Sequence, residues 1–244
     1  MRALEYKCSF ASAAGVSHQT QNIPCQDRTC VLRGEAVLAC ALADGAGSRA
    51  SSHIGAECVT QCVCEFLSKQ FDALWTMPPD AISSLLVREC TAALEQMEPP
   101  IYELACTLLF FAGHQDGRFL SGHLGDGVQI YVPDEGAASV FSPPENGEYQ
   151  NETFFITSDD AAAHLRLRQG VWHGAGSLLL MSDGMADSLY QHNSGIPARA
   201  CVTLAEWLRD GDEAVISQAL AENMERIFSR HTADDMSLVL LSWR

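Results

Sequence analysis

Apolar and polar positions fall into blocks along the chain. Tyr6–Ser12 alternates weakly and predicts a first strand, and the polar stretch Gly15–Cys25 after it reads as a loop. Thr29–Arg33 and Ala36–Ala43 predict a hairpin through Gly34-Glu35, its second arm an apolar, buried run. Ser51–Phe71 places Ile54, Val59, Val63, Phe66 and Leu67 near helical spacing, with Ser51 or Ser52 available as a cap. Pro78-Pro79 breaks the chain, and Asp80 is placed to cap a second helix running to about Met97. From Cys106 the texture changes to strands. Leu104–Ala112, Arg118–Leu124 and Gly127–Val132 are short apolar runs between glycine-rich turns, a meander pattern, and Ala137–Phe141 adds another. Ser142–Gln150 is a polar loop, Thr157–Arg168 is partly helix-like, and Leu165–Val171 returns to the sheet. Ser177–Met181 predicts a strand, Cys201–Leu208 and Asp212–Phe228 helices, and Met236–Trp243 a closing strand. Strands adjacent in sequence favour antiparallel pairing, and the helices come in blocks, which predicts an α+β fold. With no internal repeat and no low-complexity linker, residues 1–244 read as a single domain.

Composition narrows the function classes. Hydrophobic residues make up 47% of the 244, enough for a sizeable core. No apolar run is long enough for a transmembrane helix, and the start Met-Arg-Ala-Leu-Glu-Tyr-Lys lacks the apolar stretch of a signal peptide, so a cytoplasmic protein is expected. The formal net charge of -16 argues against nucleic-acid and anionic-membrane partners. Ten cysteines are scattered without a CxxC pair, the pattern of reduced, mostly buried thiols.

The chemistry sits where strands end. Ala36–Ala43 delivers Asp44-Gly45, Phe119–Gly125 delivers Asp126-Gly127, and Ser177–Ser182 delivers Asp183-Gly184. One strand-Asp-Gly is an ordinary turn. Three, together with Asp27 and Asp234, predict one acidic cluster gathered at strand ends. Hard divalent cations such as Mg²⁺ and Mn²⁺ take oxygen ligands and bind through a few carboxylates. Two of them close together can lower the pKa of a shared water and clamp phosphate oxygens. Gly45 suits a position beside such an ion because no Cβ obstructs its carbonyl.

Six short motifs then carry a family resemblance: Gln26-Asp27, Ala43-Asp44-Gly45-Ala46-Gly47, Ala105-Cys106-Thr107, Gly125-Asp126-Gly127, Met181-Ser182-Asp183-Gly184 and Ala233-Asp234-Asp235-Met236-Ser237. In this order they resemble the PP2C (PPM) metal-dependent serine/threonine phosphatases, and Ser-His…Pro-Cys-Gln-Asp with Asn151-Glu152-Thr153 resembles a bacterial subgroup. The resemblance implies a four-layer αββα sandwich of two antiparallel sheets flanked by helices. It implies that Asp27, Asp44, Asp183 and Asp234, with the Gly45 carbonyl, hold two Mn²⁺ or Mg²⁺ ions, and that a bridging water attacks phosphoserine or phosphothreonine in line. Asp126 matches the position that helps bind a third, weaker metal. Asp160 falls in the segment of the family's mobile flap, and Asp235 either adds charge beside the ligands or faces solvent. The arginine that many members place before the first metal aspartate is missing. His18 is the nearest candidate for its phosphate contact or for a general acid, if it is not a plain loop histidine.

The partners implied are phosphorylated proteins and a cognate Ser/Thr kinase. The rival reading is a catalytically weak module that keeps the fold and binds phosphoproteins. A nucleophilic serine hydrolase is disfavoured because no G-x-S-x-G elbow occurs, and no phosphate-binding G-x-x-x-x-G-K loop is present. His53, His123 and His173 read as structural.

Overall fold

The computed structural model describes residues 3–145 and 153–244. In chain order they form β1 (Tyr6–Ala13), α1 (Val16–Gln21), β2 (Arg28–Arg33), β3 (Val37–Ala43), α2 (Ser52–Trp75), α3 (Pro79–Leu94), β4 (Leu108–His114), β5 (Arg118–Leu124), β6 (Val128–Pro133), β7 (Ser139–Ser142), α4 (Ala161–His164), β8 (Arg166–Val171), β9 (Gly176–Met181), α5 (Asp183–Leu189), β10 (Tyr190–Gln191), β11 (Ile196–Pro197), α6 (Ala200–Asp210), α7 (Glu213–Arg226) and β12 (Met236–Trp243). Two five-stranded sheets, ordered β1-β12-β9-β6-β7 and β2-β3-β4-β5-β8, pair antiparallel throughout, and β10 and β11 form a small separate ribbon.

The unbroken apolar runs follow from burial on both faces of each sheet. Successive strand residues point to opposite sides. In β3, Val37, Ala39, Ala41 and Ala43 pack under α2 and α3, while Leu38, Cys40 and Leu42 face the other sheet. In β12, Met236, Leu238 and Leu240 pack under α5, α6 and α7, while Val239, Leu241 and Trp243 enter the space between sheets. Three apolar layers therefore hold four layers of structure, the αββα order expected. All ten cysteines are free, and six of them are buried. No helix among the described residues is long and apolar enough to cross a membrane.

Several local expectations are corrected. Gly15–Cys25 is not wholly a loop. It holds α1, one turn and a half with no buried residue, closed by Asn22 in the left-handed region (φ 55). So short and polar a helix leaves no apolar period to read. Neither Ser51 nor Ser52 caps α2 through its side chain; the Ser52 hydroxyl instead donates to the Arg49 carbonyl at 3.1 Å. Asp80 does not cap α3, because Pro79 takes the first helical position, where a missing N–H costs nothing, and Asp80 falls inside the first turn. The strand after Arg118–Leu124 leaves the meander: β5 pairs with β4 and β8, whereas β6 belongs to the opposite sheet. Asp183-Gly184 opens helix α5 after Ser182 rather than a turn, and Met185, Ala186 and Leu189 give that helix its buried face. The polar loop Ser142–Gln150 and the Asn151-Glu152 pair lie partly or wholly outside the described residues.

Strand register puts the acidic residues at one end. Arg28 pairs with Ala43, so Asp27 and Asp44 are neighbours just beyond β2 and β3. Leu124 pairs with Leu108 and Val128 with Met181, which brings Gly125-Asp126 beside the end of β9. Met181 pairs with Leu238 and Ala13 with Met236, so Asp183, Asp234 and Asp235 share that end.

Candidate metal centre

A cleft of about 190 Å³ opens at this end, lined by Asp44, Asp126, Asp183 and Asp234 among others. One carboxylate oxygen from each of Asp44, Asp126 and Asp183 lies within 4.8 Å of the others, close enough to share an ion. Backbone bonding fixes these positions. The Asp44 N–H donates to Thr107 Oγ1 at 2.9 Å, the Thr107 N–H returns to the Asp44 carbonyl at 2.8 Å, and the Ala46 N–H reaches the Ala105 carbonyl at 2.9 Å. The loop after β3 is thus strapped to the segment before β4. On the other side, the Ser182 N–H donates to the Ser237 carbonyl (3.1 Å) and the Ser182 hydroxyl accepts from the Ser237 N–H (2.9 Å), pinning Asp183 beside the start of β12. Two glycines allow the close packing. A Cβ on Gly45 would lie 2.9 Å from the Gln26 carbonyl oxygen, and one on Gly184 would lie 2.2 Å from that of Asp235.

The predicted site residues separate into distinct situations. Asp44, Gly45 and Asp183 line the cleft as expected, with Asp234 exposed on its rim. Asp126 joins Asp44 and Asp183 directly; its Oδ2 accepts from the Thr153 hydroxyl and its Oδ1 has no partner among the described residues. Asp27 is 1% exposed and does not itself line the cleft; it lies against Asp44, and among the described residues neither of its oxygens has a well-directed donor. Asp235 neither faces solvent nor lies idle. At 2% exposure it accepts from the Gly15 N–H at 2.7 Å and from the Gln26 N–H, and its Oδ2 lies 2.9 Å from Nδ1 of His18. His18 lines the cleft. Asp160 is not brought there; it sits 3.2 Å from Nε2 of His164, at the start of α4. Thr107, Thr153 and Phe155 also line the cleft. The two threonines stood in the recognised motifs without an assigned role, and Phe155 carried no signal.

Electrostatics fit the cleft to a cation. Burial pushes the Asp44 carboxyl well above the ordinary carboxylate range, and the charges of Asp27, Asp183 and Asp126 push it further. Asp183 is raised to about 7 by burial, then by Asp126 and Asp234. Asp27 is raised to about 6 by burial, against the pull of the Ser182 and Ser237 hydroxyls. Carboxylates crowded this way, with unpartnered buried oxygens and no lysine or arginine lining the cleft among the described residues, leave a divalent cation as the counter-charge the donor set suits. No histidine–cysteine group of three meets the same spacing among the described residues, so a zinc site of that kind is not the alternative.

Residues 14–225 match the sequence model of the family described as protein phosphatase 2C. The serine/threonine-protein phosphatase 3 of Escherichia coli (strain K12) is 27% identical over 172 residues, covering 66% of this chain and 67% of that protein. Among solved structures, the catalytic domain of the serine threonine protein phosphatase PstP in complex with two manganese ions aligns with a TM-score of 0.67 at 18% identity, over 100% of this chain and 99% of that one. The photosystem II phosphatase PBCP aligns with a TM-score of 0.66 at 12% identity, over 97% and 98%. Likenesses so distant in sequence speak to fold, and the fold they share is the two-sheet sandwich described above. With its acidic cleft where the two sheets end and most of its length matched by the family's own pattern, this chain belongs to the protein phosphatase 2C family.

Proposed function

We propose that the chain, acting as one domain, hydrolyses phosphoserine and phosphothreonine in proteins with the help of two Mn²⁺ or Mg²⁺ ions. The observation that carries this is the convergence of Asp44, Asp126 and Asp183 from three separate strand ends, in a member of this family. Asp27, Asp44, Asp183, Asp234 and the Gly45 carbonyl are the groups we assign to the ions, with Asp126 serving those or a third. Asp27 is buried against Asp44, raises its pKa, and keeps both oxygens without a directed donor among the described residues. When bound, the ions supply charge for the phosphate oxygens and acidify the attacking water. The chain's own part is to hold the donors in place through the Thr107 and Ser182–Ser237 bonds, so that little reorganisation is left for the reaction. The overall field opposes an anionic substrate: two divalent cations would remove only four of the sixteen net negative charges. Substrate attraction must therefore be local to the cleft. A cytoplasmic phosphoprotein, and the kinase that makes it, would be the matching partners.

A second reading, a phosphoprotein-binding module with little turnover, draws on the absence of arginine and lysine from the described lining. One experiment separates them. Mn²⁺ is titrated calorimetrically into metal-stripped wild type and Asp44→Asn, beside an assay on a phosphothreonine peptide. Saturable binding of at least two ions with metal-dependent turnover, both lost in the variant, is expected. Binding without turnover favours the module, and no binding refutes the metal assignment.

A further inference from the structure

We propose that Cys30 and Cys64 form a reversible disulfide when a hydroperoxide oxidises Cys30, which makes the pair a modification site on the edge strand β2. The proposal goes beyond the phosphatase reading and stands without it. Three pairs of free cysteines place their thiols within hydrogen-bond reach of one another: Cys8–Cys40, Cys30–Cys64 and Cys62–Cys90. Cys8 and Cys40 are both buried between the sheets, where an oxidant has no approach. Cys30 is half-buried on a strand at the edge of its sheet, while Cys64 is wholly buried in the layer under α2. The thiol that is oxidised needs access and a stabilised thiolate; the thiol that resolves it needs chiefly contact.

The contact is held from either side. β2 runs along α2: Nε of Arg28 lies 3.8 Å from Glu57, the Cys64 thiol donates to the Cys30 carbonyl at 3.5 Å, and a Cβ on Gly34 would lie 2.9 Å from the Ser68 hydroxyl. Strand and helix therefore keep step past the two cysteines, and the sulfurs need only close to about 2 Å to bond. A hydrogen bond from Cys64 holds the Cys30 thiol below its ordinary value, against burial and the charge of Glu65. Contact with Cys90 lowers Cys62 likewise, yet Glu89 and Glu65 both oppose a thiolate there. In the first step the Cys30 thiolate sulfur bonds to one peroxide oxygen as the O–O bond breaks. The departing hydroxide takes the proton that Cys30 gave up and leaves as water. Cys30 is oxidised by two electrons to the sulfenic acid and the peroxide is reduced. In the second, the Cys64 sulfur bonds to that of Cys30, the S–O bond breaks, and the hydroxide leaves as water with the Cys64 proton.

The test maps the thiols. Wild type, Cys30→Ser and Cys64→Ser are treated with hydrogen peroxide, alkylated under denaturing conditions and digested for mass spectrometry, with fragmentation that separates Cys64 from Cys58 and Cys62. In wild type the predominant disulfide should link Cys30 to Cys64 and open with dithiothreitol. Cys64→Ser leaves the oxidised thiol without its partner, so dimedone should trap a sulfenic acid at Cys30. Cys30→Ser should leave Cys64 unoxidised. In untreated native protein, iodoacetamide should modify Cys30 at least about tenfold faster than Cys40 or Cys64. A predominant bridge at Cys62–Cys90, a sulfenic acid at Cys64 in place of Cys30, equal alkylation rates, or treated wild type with Cys30 and Cys64 still free would each overturn the proposal. The wild-type map decides by itself if a variant fails to fold.

Discussion

Asp183→Asn should make the metal-free protein more stable while abolishing turnover. The side chain begins α5 among like charges and is raised from 3.8 to about 7 by burial and by Asp126 and Asp234. A folded-state pKa above the unfolded one means that the folded chain holds the extra proton between these values. Its stabilising share is complete below about pH 4 and is lost as pH rises through about 7. Roughly three pK units at about 1.4 kcal/mol each give about 4 kcal/mol of penalty at pH 8 and above. Partial exposure of the group and the lost attraction between a carboxylate and a helix N-terminus, about 0.5 kcal/mol, reduce the expected gain to about 1–3 kcal/mol. Asparagine keeps the shape, and its amide oxygen still accepts the Gly184 N–H that Asp183 Oδ1 now takes at 2.6 Å. Neutralising it also relieves Asp44, whose own upward shift Asp183 helps to cause.

The assay is thermal unfolding of both proteins in EDTA from about pH 5 to 8, repeated with Mn²⁺. At about 2–4 °C per kcal/mol for a chain of this size, the variant should melt several degrees higher at pH 8. That lead should shrink towards pH 5, where wild type takes up its proton. With saturating Mn²⁺ the order should reverse, because wild type gains about 2.7 kcal/mol at a hundred times its Kd and the variant gains little. A variant no more stable than wild type in EDTA at pH 8, or a lead independent of pH, would refute the account of the cleft as an unneutralised charge cluster.

Two further outcomes follow from residues around the cleft. His123 is 1% exposed, with Nε2 3.1 Å from the Gly125 carbonyl and Nδ1 2.8 Å from the Ser142 hydroxyl, and burial pulls its pKa down to about 3. Its folded-state pKa lies below the unfolded one, so the neutral ring stabilises above about 6.5 and that share is lost as pH falls. From about pH 7.5 to 5 the stability advantage of wild type over His123→Gln should narrow by about 2 kcal/mol in urea titrations, and an unchanged gap would refute it. Gly184→Ala should destabilise by about 2 kcal/mol and lower turnover, since its Cβ would press the Asp235 carbonyl at 2.2 Å; wild-type melting would show that the backbone yields there.

The sandwich was legible because its central strands are apolar on both faces. The runs at β3, β9 and β12 stand out as blocks, and the aspartates that end or precede them had to gather wherever those strands aligned. What each carboxylate does there was not legible, because its role depends on which donors reach its oxygens. Asp27 and Asp44 read alike in sequence, yet one is buried with no directed donor among the described residues and the other lines the cleft. α1 was invisible for the complementary reason: its anchor is not an apolar stripe of its own but bonds to residues 233–235 at the far end of the chain.

Asp234 and Asp235 show how much turns on one residue of register. They lie in the bend just before β12, and the chain there sends the two side chains to different surroundings. Asp234 goes to the rim and is exposed. Asp235 turns inward and gathers Gly15, Gln26 and His18, partners 220 and 209 residues away in the first two cases. Their order in the sequence is thus a functional distinction: exchanging the two environments by a one-residue slip of β12 would remove a carboxylate from the rim and the anchor from α1 together. The close approach of Gly184 to the Asp235 carbonyl and the paired Ser182–Ser237 bonds hold β12 against that slip. The carboxylate at the rim and the anchoring of α1 then depend on a single strand register, which is why they would fail together if it moved.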